Sequence, residues 1–191
     1  MKNKAILLIE FQKTWTEKGI FFKMIKKELM LRNVVENTKN VISVARSRGV
    51  KIIQAPLILD KIDKERYKKT PFPARFLKRF TKGNWKSEFT DGIYKSSDIV
   101  VKGRYGFDAL EGSNLEKLLK ENIIKTVFVC GFTTDHCVKE TMNSLINKEF
   151  NCILVSDCTA TRSNKLQMKI ENKFEIISSK QLITDILNSD G

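Results

Sequence analysis

A chain of 191 residues with 41% hydrophobic and 30% charged residues has the composition of one globular domain, and that composition excludes global disorder. No run approaches the roughly 18 apolar residues needed to span a bilayer. The formal net charge of +13 makes an anionic partner a candidate.

The elements are read in chain order. Ala5–Ile9 is a first strand, interrupted by Glu10; it is too short for a signal-peptide core, and no small-residue cleavage site follows, so a cytoplasmic location without membrane contact is expected. Asn33–Arg48 reads as a helix ended by Gly49, and Val50–Gln54 as a second strand. The interval Leu57–Ser97, with Pro71, Pro73 and Gly83, breaks the rhythm and reads as an insertion or lid containing a helix. Ile99–Lys102 is a third strand, followed by a helix over Asn114–Glu121 with Ser113 and Glu116 spaced as a capping box. Thr126–Cys130, Cys152–Val155 and Phe174–Ile177 complete six strands, and Asp135–Lys148, Ser163–Glu171 and Lys180–Leu187 supply the remaining helices.

Most of these strands are nearly continuous apolar runs, as parallel strands covered on both faces are. The pattern predicts a single α/β domain over residues 1–191: three layers, doubly wound, with a six-stranded mainly parallel sheet and helices on both faces. Ligands in such sheets bind beyond the carboxyl ends of the strands, which places Glu10, Lys102–Arg104 and Gly131–Cys137 on one rim.

The cysteines Cys130, Cys137, Cys152 and Cys158 form no CxxC pair, and His136 is the only histidine, so a structural zinc site is hard to assemble. Between Lys61 and Lys82 there are nine basic residues against two acidic ones. Anion or nucleic-acid attraction and a solvated loop are both readings of this stretch. No nucleic-acid motif accompanies it, so nucleic acid is not the expected partner. Phe72, Phe76, Phe80 and Trp85 lie in or beside it and read as packing for a lid or subunit contact.

The segment Val127–Met142 reads strand, glycine turn, helix, with the helix starting near Thr134 or Asp135. Cys137 then sits in the first turn, where free N–H groups favour a thiolate and can hold an oxyanion. A buried, inert cysteine is the competing reading. His136 diverges from Cys137 by about 100° on a helix, which suits a solvent-facing or substrate-lining ring better than a base. Glu10, at the end of an apolar strand, is either a salt-bridged rim residue or the base for Cys137. Lys102 and Arg104 are two apart on an extended segment, so both can point to one face and supply a cation.

Four motifs in order carry a resemblance that covers nearly the whole chain: Ala5-Ile-Leu-Leu-Ile-Glu-Phe-Gln12; Val100-Val-Lys-Gly-Arg-Tyr-Gly-Phe-Asp-Ala-Leu110 with Gly112-Ser-Asn-Leu115; Cys130-Gly-Phe-Thr-Thr-Asp-His-Cys-Val138 with Thr141; and Val155-Ser-Asp-Cys-Thr-Ala160. The pattern resembles the isochorismatase-like hydrolase superfamily, in its cysteine hydrolase branch. The resemblance implies a catalytic aspartate, lysine and cysteine. The cysteine falls on Cys137, the aspartate position holds Glu10, and the lysine position falls on Arg104, with Lys102 as the chemical substitute. It also implies a cis peptide between Phe132 and Thr133 and oxyanion donors in the N–H groups of Thr133 and Cys137.

Nicotinamidase-type members carry an Asp/His metal site after the second strand. Here Asp60 and Asp63 lie nearby without a histidine, so neither a metal nor another cofactor is expected. The resulting expectation is hydrolysis of a small amide, ureido or related C–N substrate through a thioester, in a homo-oligomer. The alternative, raised by the two altered positions, is a catalytically altered member acting as a small-molecule binding or regulatory module.

Overall fold

In a computed structural model, which describes residues 3–59, 64–70 and 80–189, six strands form one sheet. They are β1 (Lys4–Ile9), β2 (Lys51–Ala55), β3 (Ile99–Val100), β4 (Thr126–Phe132), β5 (Asn151–Ala160) and β6 (Glu175–Ile177). Their order is β3-β2-β1-β4-β5-β6 and every neighbouring pair is parallel. The order in which strands are added reverses between β1 and β4, so their carboxyl ends flank the switch point where doubly wound sheets bind ligands.

Eight α-helices are described: α1 (Lys13–Thr16), α2 (Ile20–Leu31), α3 (Val34–Ser47), α4 (Lys64–Lys69), α5 (Leu115–Glu121), α6 (Lys139–Asn147), α7 (Asn164–Glu171) and α8 (Ser179–Leu187). Alternation along β1 sorts them into layers. Ile6 and Leu8 pack with Val41, Ile42 and Ala45 of α3 and Leu182 and Ile186 of α8. Ala5, Leu7 and Ile9 pack on the other face with Leu115 and Leu119 of α5 and Met142 and Leu145 of α6. The helix α3 buries Val34, Thr38, Val41, Ile42 and Ala45, the spacing of one helical face. It ends at Gly49, whose φ of 68° is a conformation that glycine adopts without cost.

Several local expectations change. Sequence pattern places no element between Glu10 and Asn33, yet α1 and α2 lie there. The helix α2 buries Ile25, Glu28 and Leu29 while Met24, Met30 and Leu31 are exposed, so its apolar residues do not mark one face. The third strand stops at Val100 rather than Lys102, because the Lys102 N–H turns away to Asn114 Oδ1 at 2.8 Å. The fifth strand runs on to Ala160 across a register shift against β4. Ser113 does not close a capping box with Glu116: its Oγ accepts from the Leu115 N–H at 3.1 Å, and Glu116 pairs with Lys120 and Lys148 instead.

Of the interval 57–97, the described part holds α4, a 3₁₀ turn over Trp85–Ser87 and a bridge between Leu59 and Thr81. Asp60, Asp63, Phe72 and Phe76 lie outside the described residues, as does much of the basic stretch 61–82. Among the described residues, no helix is long and apolar enough to cross a membrane.

Candidate active site

Three chain segments meet at the switch point. The first leaves β1 at Glu10, whose φ of 55° places a non-glycine residue in the left-handed region and turns its side chain across the strand ends. Gln12 anchors this exit: its Nε2 donates to the carbonyls of Leu57 and Ser87, and its Oε1 accepts from the Leu57 N–H at 3.0 Å. The second segment follows β3. Gly103, with φ of 94°, packs so closely that a Cβ would stand 2.6 Å from the Gly112 carbonyl oxygen. This turn sends Arg104 inward, where it is buried.

The third segment leaves β4. A side chain at Gly131 would collide with the Ile9 carbonyl, so glycine is what lets β4 close on β1 here. The Phe132–Thr133 peptide is cis. Thr134–Val138 then forms a π turn, closed by the Val138 N–H on the Thr133 carbonyl at 3.2 Å, and Cys137 lies within it. Behind the turn, the Thr134 hydroxyl meets Gln167 Oε1 at 2.7 Å and the Thr159 hydroxyl at 2.8 Å, and Thr161 donates to Asp135. Thr141 Oγ1 accepts from the Ala109 N–H at 2.8 Å, tying the Arg104 loop to α6, which follows the Cys137 turn.

Arg104 makes four hydrogen bonds among the described residues. Its Nη2 donates to Glu10 Oε1 at 2.6 Å and to the Phe107 carbonyl at 2.8 Å; Nη1 reaches the Ala55 carbonyl and Nε the Gly106 carbonyl. Both members of the pair are 1% exposed at the side chain. Burial works against the Arg104 charge, but Glu10 and the Cys137 sulfur outweigh it and raise its pKa above the ordinary value. Lys102 points elsewhere: it is exposed and does not line the cleft. Of the two candidate cations, the structure brings Arg104 to Glu10.

Cys137 is 4% exposed. Its thiol pKa is raised well above the ordinary value, first by burial and then by the Glu10 charge, with Arg104 opposing. The thiolate that a helix start favours is opposed here by burial and by the Glu10 charge. Burial and the neighbouring carboxylate both penalise the anion, and the Arg104 cation favours it.

Above Cys137 and Glu10 lies a cleft of about 180 Å³, walled by Trp15, Phe21, Leu57, Phe80 and other apolar side chains. His136 stands at its edge, 62% exposed at the side chain, with its ring 5.9 Å from that of Phe107. Trp15 has no sequence signal as a site residue, yet its Nε1 donates to Glu10 Oε2 at 3.0 Å. Gln167, also without a signal, is buried behind the π turn. Cys130, Cys152 and Cys158 are buried free thiols away from the cleft. Burial, then Cys158, pushes the Cys130 thiol well up, and burial pushes that of Cys152 to about 12.

The family model for the isochorismatase domain matches residues 4–179. An N-carbamoylsarcosine amidase from an Arthrobacter species is 23% identical over 97% of this chain and 71% of its own length. A "probable inactive nicotinamidase" from Arabidopsis thaliana is 23% identical over 86% of this chain and 84% of its own. Among solved structures, a cysteine hydrolase from Pseudomonas syringae superposes with a TM-score of 0.83 at 17% identity, covering 97% of this chain and 92% of that one. An isochorismatase family protein from Desulfovibrio vulgaris gives 0.81 at 16% identity, covering 98% and 99%.

Proposed function

Because the chain belongs to the isochorismatase family, we propose that it hydrolyses a C–N bond in a small amide, ureido or carbamoyl compound through a thioester on Cys137. The observation that carries this reading is the buried Glu10–Arg104 pair acting on the Cys137 thiol at the floor of an apolar cleft. A base, a nucleophile and a fixed cation then share one small, water-poor volume.

Glu10 takes the Sγ proton as the sulfur attacks the carbonyl carbon, so no free thiolate has to accumulate in a site that disfavours it. The N–H groups of Thr133 and Cys137 hold the oxyanion of the tetrahedral intermediate. Glu10 returns the proton to the departing nitrogen, the C–N bond breaks and the thioester remains. Glu10 next takes a proton from water, hydroxide adds to the thioester carbonyl, and the sulfur leaves with that proton as the acid is released.

Arg104 acts as a permanent cation, since guanidinium does not exchange protons at physiological pH. It holds the carboxyl group oriented while Glu10 carries the proton between sulfur, nitrogen and water. The name of the Arthrobacter relative, an amidase acting on a carbamoyl compound, supports the bond type.

The test is a screen of amides, ureides and carbamoyl compounds for release of ammonia or amine, repeated with Cys137→Ala. Turnover that disappears in the variant, with a thioester trapped on Cys137, is the expected result. Full turnover by Cys137→Ala would overturn the mechanism. Tight binding without turnover by the wild-type chain would move the reading to a small-molecule binding module.

A further inference from the structure

Glu10 carries two donors, one on each oxygen: Arg104 on Oε1 at 2.6 Å and the Trp15 indole on Oε2 at 3.0 Å. One contact leaves a carboxylate free to swing about it, whereas two contacts on different oxygens fix its plane. The indole is itself held. Trp15 is 6% exposed, its ring stacked on Phe21 at 4.7 Å and near Phe132 at 6.3 Å. Phe132 adjoins Thr133 on the nucleophile segment, and the cleft is lined by Trp15, Phe21, Glu10 and Cys137 together. The indole therefore ties the base to the wall of the cleft and to the strand that delivers the thiol.

From this geometry we infer that Trp15 is a positioning residue for the reaction: its indole N–H sets the plane of the Glu10 carboxylate, and so aims the lone pair that carries the proton between sulfur, leaving group and water. The inference rests on the reading of Glu10 as proton carrier. Two effects of losing the N–H oppose one another. A carboxylate with one donor fewer is a stronger base, a gain of roughly ten-fold for one hydrogen bond to a charged group. A carboxylate free to turn loses alignment, and misplacement by about 1 Å can cost roughly 100-fold. Alignment dominates, and the net change is a loss of about ten-fold.

The chain has two tryptophans, so a Trp85→Phe background leaves Trp15 as the only one. In that background Trp15 is replaced biosynthetically by its benzothiophene isostere, which keeps the ring shape and deletes only the N–H; Trp15→Phe is the encoded second variant. The probe is p-nitrophenyl acetate, which needs no natural substrate. Formation and decay of acetyl-Cys137 are followed by intact-mass spectrometry.

Expected is an acetyl-enzyme that forms in all three proteins but decays about ten-fold more slowly in both Trp15 variants, with thermal midpoints near that of the background protein. On any amide found in the screen, kcat falls by the same factor with KM unchanged in the isostere. Equal decay rates in the background and isostere proteins would overturn the positioning role and leave the hydrolase reading standing. Failure of the background protein to acetylate Cys137 at all would overturn both.

Discussion

Arg104 Nη2 stands 2.6 Å from Glu10 Oε1, and neither side chain is more than 1% exposed. A buried pair of this kind is held as much by its other contacts as by its own charges, and Arg104 has three: the carbonyls of Ala55, Gly106 and Phe107. The guanidinium is thus bonded to the end of β2 and to its own loop as well as to Glu10. Breaking the pair from either side leaves a charge stranded in the interior.

Arg104→Met should therefore cost about 3–5 kcal/mol of stability, as loss of one partner of a buried pair does. Urea denaturation measures it. Glu10→Gln in the same chain should restore part of the loss, because the stranded carboxylate is gone. Additive losses would show that the two side chains do not act as a unit.

Glu10→Gln separates thiol reactivity from turnover. The Glu10 charge is the second-largest influence raising the Cys137 thiol pKa, and Arg104 lowers it. Removal of the carboxylate leaves Arg104 uncompensated, so that pKa falls and iodoacetamide should label Cys137 faster at a given pH. Hydrolysis should fall at least about 100-fold, since nothing then carries the proton to the leaving group. Parallel loss of labelling and turnover would contradict the electrostatics.

Lys102→Ala should leave turnover within about two-fold, as exposed substitutions away from a site do. Arg104→Lys should reduce it far more, because an ammonium cannot keep the forked contacts to Glu10 and the loop carbonyls. Steady-state kinetics of the two variants decides between the cations, and equal losses would argue against the assignment.

Alkaline stability reports a buried thiol outside the site. The Cys152 thiol is pushed to about 12 from an ordinary value of 9.0. Below pH 9 both folded and unfolded states keep this proton, so it contributes no slope. Between about 9 and 12 the unfolded chain loses it while the folded chain keeps it, and stability falls as pH rises. Cys152→Ala should flatten the stability–pH slope in that window by up to about 1.4 kcal/mol per pH unit. Urea midpoints from pH 8 to 11 measure it, and an unchanged slope would show that the thiol is solvated.

Much of this was legible before folding. Strands covered on both faces are apolar throughout, so β1, β4 and β5 announce themselves as short runs; the exit of β4 through Gly131 into the Cys137 turn follows from strand, glycine and helix pattern alone. Other elements were not. The helix α2 exposes Met24, Met30 and Leu31, which blurs its period. The spacing of Ser113 and Glu116 was correct for a capping box, but Lys120 and Lys148 draw Glu116 away.

By itself, the sequence determined the doubly wound fold, the rim on which Glu10, Lys102–Arg104 and Cys137 would lie, and the four ordered motifs behind the family assignment. These rest on local periodicity and residue order, which the chain carries whatever its neighbours. Only the tertiary structure decided that Arg104 rather than Lys102 meets Glu10, that Trp15 gives Glu10 its second donor, and that burial and the Glu10 charge raise the Cys137 thiol pKa. Each of those depends on burial and on distances between segments remote in the chain, such as the 94 residues separating Glu10 from Arg104. A charge's energy is set by what surrounds it in space, and no spacing along one strand contains that.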